Sequence, residues 1–247
     1  MKWTAFVAPI EPPRAVPVLL AGIAGYVDAC TFLGLFGFFV AQVTGSYVVA
    51  GAHMVAGWPG VAAILAVPVF FAGGVLATLA AIMGQAVARS ALAWAFMLEA
   101  LLLIGFIAVF AVGGPFDGPQ ATRVAAASML GLAAMGVQSA LVRLLMKGVA
   151  STNVMTTNTS QIAIDATQLL FARLCRRADD PAETRRLYED CRERFRGGLP
   201  LPLAFLTGTA VGALAFAELG FWVLLAPLVA VGALTVWAAR NAGAAVS

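Results

Sequence analysis

One carboxylate, Asp28, stands alone in a run from Ala15 to Ala88 that holds no other formally charged side chain, with His53 as its one further ionisable group. A charge at mid-membrane depth costs about 2.5–3.5 kcal/mol on insertion scales, so such a residue normally faces a protein interior or water. Two roles fit it: a proton- or cation-coupling carboxylate, or a cap on the broken backbone of a neighbouring segment. Two polar turns are the next candidates. Gln42, Thr44, Gly45 and Ser46 precede one short apolar stretch; Asn153, Thr156, Thr157 and Asn158 precede another. Ser, Thr and Asn oxygens satisfy the free N–H groups at helix starts. Each turn is therefore expected to open a half-helix with its positive dipole end inside the membrane. Two such ends aimed at one centre suit an anionic or hydrogen-bonding solute, and plain capping is the other reading. Gln138, Ser139 and Gln161 either contact a solute or join helices. Glu99, in an apolar span of its own, and the weaker candidates His53 and Asp165 complete the set.

Other chemistries are excluded. One histidine and no metal-spaced Cys or His cluster leave no metal site, and no Walker or strand-to-helix glycine pattern supports ATP or another cofactor. The serines lack a histidine partner at interpretable spacing. An intramembrane enzyme would need Asp28 and Glu99 as an acid pair, which nothing in the sequence brings together, so no enzymatic activity is expected. Three cysteines without framework spacing argue against a disulfide scaffold.

The elements that position these residues are membrane helices. Of 247 residues 62% are hydrophobic and 11% charged, whereas soluble chains carry about 25% charged residues. Lipid is the solvent this composition fits. A bilayer core needs about 20 apolar residues per helix. Spans are expected at Val16–Phe36, Val61–Gly84, Ala91–Val112, Val124–Leu145, Leu199–Phe216 and Phe221–Ala238. Thr44–Gly57 and Thr156–Leu170 are short and polar at their starts, and are expected to re-enter rather than span. The fold class is all-α, a polytopic transmembrane bundle forming a single domain over residues 1–247.

Basic residues orient it, because cytoplasmic loops retain Lys and Arg. Six spans place Lys2, Arg14, Arg89, the 173–196 segment and Arg240 on one face, with both termini expected in the cytoplasm. Eight spans would move Arg89, Arg143 and Lys147 outside. The start Met1-Lys2-Trp3 lacks the direct apolar core of a cleaved signal peptide. Although the net charge is +3, the basic residues form no nucleic-acid patch: eight of the fifteen lie between Arg173 and Arg196 beside six acidic ones. That segment is expected to form a cytoplasmic amphipathic helix from Asp179-Asp180-Pro181 onward, with Leu187, Cys191 and Phe195 on one face. It lies on the membrane surface or docks a partner.

The chain also resembles itself. Gly25-Tyr26-Val27-Asp28-Ala29 aligns with Gly136-Val137-Gln138-Ser139-Ala140, Val43-Thr44-Gly45-Ser46 with Met155-Thr156-Thr157-Asn158, and His53 with Asp165. Gly73-Gly74-Val75-Leu76-Ala77 then aligns with Gly208-Thr209-Ala210-Val211-Gly212, as if the charged segment 173–198 were inserted into the second half. Halves of about 15–113 and 121–240, three spans each, would form an inverted repeat with a solute site near the midplane.

These motifs, with Ala24-Gly25-Tyr26-Val27-Asp28-Ala29, Gly136 to Arg143 and Thr156-Thr157-Asn158-Thr159-Ser160-Gln161, resemble the YoaK family of bacterial integral membrane proteins, which share a domain of unknown function. The resemblance runs from about Val16 to Ala238 and implies six spans without supplying an activity. Where the family reads Thr-Gly-Asn, this chain has Ser46 in one copy and Thr157 in the other. Its residues point to a small-solute transporter or facilitator, coupled through Asp28 if coupled at all. Lipid, a small polar or anionic solute and further copies of the chain are the expected partners. A sensor or scaffold working through segment 173–198 is the alternative.

Overall fold

The computed structural model describes residues 7–56, 61–87, 90–113, 116, 118, 122–175 and 182–241. Their order is α1 (Ala15–Gly34), α2 (Val43–Ala56), α3 (Val61–Ala86), α4 (Ala91–Gly113), α5 (Thr122–Leu145), α6 (Met155–Cys175), α7 (Ala182–Gly198), α8 (Pro200–Leu219), a 3-10 turn (Gly220–Leu224) and α9 (Leu225–Asn241). Continuous apolar sequence without strand alternation makes helices here, because only helices satisfy their own backbone in lipid. Among the described residues five helical stretches are long and apolar enough to cross a membrane: Ala15–Gly34, Ile64–Ala86, Ala91–Val112, Thr122–Leu145 and the continuous run Glu183–Asn241. That last run contains α8 and α9, where the sequence places two spans. The outward faces are apolar: Phe71 is 72% exposed, Val112 81% and Leu214 72%. Lipid is the solvent that covers such faces without penalty.

The two short stretches behave differently from the spans. The 14 residues of α2 reach about 21 Å, less than a bilayer core. The helix α6 extends to 21 residues, longer than expected from the sequence, because Phe171 to Cys175 continue it. Its polar first turns keep it out of the set of apolar spans. The helix start foreseen at Asp179-Asp180-Pro181, the side chain of His53, and Lys2, Arg89 and Asp117 lie outside what is described.

Two seams hold the bundle, and both depend on backbone-to-backbone approach. In the seam of α1 with α8, a Cβ on Gly25 would collide with the Phe205 carbonyl oxygen, and one on Gly208 with that of Gly22. In the seam of α3 with α5, a Cβ on Gly136 would collide with the Phe70 carbonyl oxygen, and one on Gly73 with that of Ala133. The contacts correspond one to one. The register that aligns Gly25 with Gly136 also aligns Gly22 with Ala133, and the one that aligns Gly73 with Gly208 aligns Phe70 with Phe205. Along α1 and α8 the contacts climb together, from Gly22 near Ala204 to Gly34 near Phe216, so these helices run parallel. The helix α4 packs on α5, α3 and α9.

The segment before α1 closes one end of the molecule. The Ile10 N–H donates to the Leu145 carbonyl at 2.8 Å, and the Lys147 N–H donates to the Ile10 carbonyl at 2.8 Å. The start of α1 therefore sits beside the end of α5, and these two leading helices run in opposite directions. Glu11 meets Lys147 at 3.6 Å, and Arg14 meets Glu193 of α7 at 3.9 Å. Arg14, Lys147 and α7 thus share one end, the grouping that six spans require and eight would break.

Candidate functional site

After α1 the backbone turns back through Phe36 (φ 57°) and Gly37 (φ 84°). A bulky side chain rarely adopts a positive φ, so this reversal is held by its surroundings. It returns Val40 and Ala41 to Asp28, whose Oδ1 accepts the Val40 N–H at 2.9 Å and the Ala41 N–H at 2.6 Å. Asp28 precedes the end of α1 by six residues, so the turn re-enters the bundle by about 9 Å. The second turn does the same. Gln138, seven residues before the end of α5, donates from Nε2 to the Asn153 side-chain oxygen at 3.3 Å and to the Leu20 carbonyl at 3.0 Å.

The two turns meet. Asn153 Nδ2 donates to the Ala41 carbonyl and to the Met135 carbonyl, each at 3.4 Å. The residue that gives its N–H to Asp28 thus gives its C=O to Asn153. Asp28, Gln138, Asn153 and Thr152 form one buried polar cluster, with Thr152 Oγ1 donating to Asn153 at 3.0 Å. Two acceptors in it, Asp28 Oδ2 and Gln138 Oε1, have no partner among the described residues. The helix α2 opens two residues beyond Ala41, and α6 two residues beyond Asn153. Both positive helix ends therefore lie at the meeting point.

Ser46 and Asn158 lie inside the first turns of α2 and α6 and tie down the preceding turns instead of capping free N–H groups. Ser46 Oγ donates to the Phe39 carbonyl at 2.8 Å, and Asn158, which aligns with it, donates from Nδ2 to the Ser151 carbonyl at 2.7 Å. Gly45 closes the first turn through its N–H to the Gln42 carbonyl at 2.9 Å. Gln42 is half-buried, whereas Thr44, Thr156, Thr157 and Gln161 are exposed on the outer sides of α2 and α6. Ser139 lies in a groove between α3 and α5, away from the cluster. Of the residues singled out from sequence, then, Asp28, Gln138 and Asn153 come together. Thr152 and the Ala41 peptide join them without having been foreseen. The string Ser151-Thr152-Asn153 ahead of a helix carried the signal for Thr152; a backbone amide carries none.

Two other buried acids stand apart. Glu99 is fully buried in α4, and neither of its carboxylate oxygens is bonded among the described residues. Asp165 is 1% exposed on α6. Its Oδ1 accepts from Arg194 of α7 at 3.1 Å and from Gln161 at 3.1 Å. The Cys191 thiol lies 3.5 Å from the same oxygen, and burial first, then Asp165, pushes that thiol above its ordinary value of 9.0. Cys191 is the buried residue of the α7 stripe; Leu187 stays 63% exposed. Among the described residues no group of acids, cysteines or histidines is placed to hold a metal.

Apolar spans with lipid-facing surfaces, closed around buried polar turns, define a multi-pass helical membrane protein. The chain belongs to the family described as protein of unknown function DUF1275, whose model matches residues 16–237, in keeping with the YoaK resemblance. Neither the curated proteins nor the solved structures contain a match to it.

Proposed function

We propose that the chain is a secondary transporter or facilitator for a small polar or anionic solute in the bacterial inner membrane, with both termini cytoplasmic. Its core is two inverted halves of three spans, and its solute site is the cluster of Asp28, Gln138 and Asn153. One observation carries this reading: two re-entrant turns meet at a buried peptide, leaving a carboxylate oxygen and an amide oxygen without protein partners. A buried acceptor left unpaired costs about 1–3 kcal/mol, and a passing solute, water or proton removes that cost. The paired glycine contacts of the two seams and the matched bonds from Ser46 and Asn158 to their preceding turns support the repeat. The opposed directions of α1 and α5 support its inversion.

In this reading Asp28 does two things. Its Oδ1 holds the first turn in place, and its Oδ2 faces the shared centre and exchanges a proton or cation with the solute path. The helix starts of α2 and α6 favour negative charge there. Reconstitution into liposomes tests it, with osmotic swelling read for a panel of small carboxylates and neutral polyols. Wild-type protein should admit at least one of them faster than empty liposomes, and Asp28→Asn should slow that flux while folding normally. Flux unchanged by Asp28→Asn would remove the coupling role, and no flux above background for any solute would remove the transport reading.

A scaffold or sensor function through α7 has its own support. Arg194 and Cys191 fasten one side of α7 to Asp165, the opposite side presents charges to the cytoplasm, and Leu187, one turn before Cys191, is exposed. Deleting residues 182–196 separates the two readings, since a transporter keeps its flux and a scaffold loses its function.

A further inference from the structure

The seam between α3 and α5 opens outward into a groove of about 530 Å³. Phe71, Val75 and Leu79 of α3 form apolar walls, and Gly74 keeps the floor open. Phe71 is 72% exposed, so the groove faces the surrounding lipid rather than the protein interior. Its polar lining is concentrated toward one end, where Ser139 is followed one helical turn later by Arg143 in the last turn of α5. Arg143 is exposed, and none of the ion pairs among the described residues engages it. It sits at the end of the molecule where Lys147, Glu11 and α7 gather.

The repeat supplies a control for this cation. The register that aligns Gly25 with Gly136 places Phe32 opposite Arg143. The seam of α1 with α8 uses the same glycine contacts yet carries no charge at that position. Close helix packing therefore does not require the arginine. An unpaired guanidinium at the mouth of an apolar, lipid-facing groove matches a molecule with an anionic head and a hydrocarbon tail.

We propose that this groove binds an anionic phospholipid drawn from the surrounding bilayer, its phosphate on Arg143 and one acyl chain along Val75 and Phe71. Arg143 supplies a fixed positive charge for that phosphate, and an ammonium at the same place serves as a point charge for it too. The nine residues from Phe71 to Leu79 give the tail about 12 Å of wall. A free inorganic anion has no use for that wall, and in phosphatidylcholine the choline cation offsets the attraction of the phosphate to the arginine. The site is separate from the Asp28 cluster and stands whether or not the chain transports anything.

Native mass spectrometry of the full chain in detergent, supplied with phosphatidylglycerol or phosphatidylcholine, tests the proposal. Phosphatidylglycerol should be retained preferentially. Arg143→Gln should cut its retention about fivefold, the worth of one basic residue at an anionic surface, and Arg143→Lys should keep most of it. Gly74→Leu should lower retention of both lipids by filling the groove. A Cβ at Gly74 meets nothing closer than Ala140 at 3.7 Å, so that variant should fold, as its melting in detergent will show. Retention of phosphatidylglycerol at wild-type level by Arg143→Gln or by Gly74→Leu overturns the proposal. So does full displacement by millimolar inorganic phosphate, which would mark a simple anion site. Should Arg143→Gln fail to fold, loss in Gly74→Leu with retention in Arg143→Lys supports the site, and retention in Gly74→Leu overturns it.

Discussion

Asp28 and Asp165 are both buried carboxylates with Oδ1 engaged and Oδ2 unpartnered, yet they are held in unlike ways. Asp28 accepts from two backbone amides and meets no cation. Asp165 meets a guanidinium whose side chain is 53% exposed. The first acid is fixed by chain that cannot leave without dismantling the turn. The second is fixed by a helix that can swing away into water with its arginine. A carboxylate bound only by backbone is part of the bundle, whereas one bound by a neighbouring helix is a latch. The largest expected effect follows from that difference. Asp28→Ala strands two amides in the interior, and hydrogen bonds to a charged group contribute about 1.5–3 kcal/mol each. The loss should therefore reach about 3 kcal/mol or more, read as a lowered melting midpoint in detergent. Asp28→Asn keeps an acceptor oxygen and should recover most of that loss, so any flux defect it retains belongs to the charge. Equal melting of Asp28→Ala and wild type would break the comparison at its stronger side.

Asn153 ranks next. Removing its side chain deletes the bond to the Ala41 carbonyl and leaves Gln138 with the Leu20 carbonyl alone. Neutral hydrogen bonds contribute about 0.5–1.5 kcal/mol each, so Asn153→Ala should cost about 2 kcal/mol and loosen the contact between the turns. Cysteines placed at positions 41 and 153 should cross-link in an otherwise wild-type background. Failure to do so would separate the turns and leave Asp28 capping a lone loop.

Asp165→Ala should cost the bundle less than either, because the Arg194 side chain is 53% exposed and can retreat into solvent, leaving no buried charge behind. Its effect should be local: α7 released and cut faster by trypsin at Arg186 or Arg192, with the melting of the spans unchanged. A drop in bundle melting as large as that of Asp28→Ala would mean that α7 is integral to the fold, and the contrast between cap and latch would fail.

The sequence made some of this visible and hid the rest, for physical reasons. Span lengths were legible because lipid permits only long apolar helices, and the positions of α1, α3, α4 and α5 follow from hydrophobic runs alone. The meeting of Asp28 with the Ala41 amide was not legible. It depends on Phe36 adopting a positive φ, and a phenylalanine gives no warning of one. Ser139, aligned with Asp28 by the repeat, faces the lipid-side groove instead of the centre; its neighbour Gln138, aligned with Val27, takes the inner position. A helix turns by about 100° per residue, so one step in register moves a side chain from the core to the membrane. Alignment of the two halves cannot tell which of the adjacent pair points inward. The pairing of Arg194 with Asp165 was hidden for a simpler reason: a charged helix offers many arginines, and only the docking of α7 on α6 selects one.

Cys191 gives the smallest effect and the finest reading of the latch. Burial is the main cause of its raised pKa, the Asp165 carboxylate adds to it, and Arg194 opposes it. The docked state thus favours the neutral thiol. A group whose pKa is raised on docking stabilises the docked form fully below its free value of 9.0, and that stabilisation fades as pH rises past it, because the undocked thiol ionises first. Alkylation of Cys191 by iodoacetamide should therefore be slow near neutral pH and should accelerate with pH more steeply than for a free thiol, as ionisation and undocking combine. Asp165→Ala should speed labelling at every pH by freeing α7, while Asp28→Asn should leave it unchanged. Labelling at Cys191 that is fast at neutral pH and indifferent to Asp165 would show α7 undocked in the membrane, and Asp165 would then keep only its bond from Gln161 on the same helix.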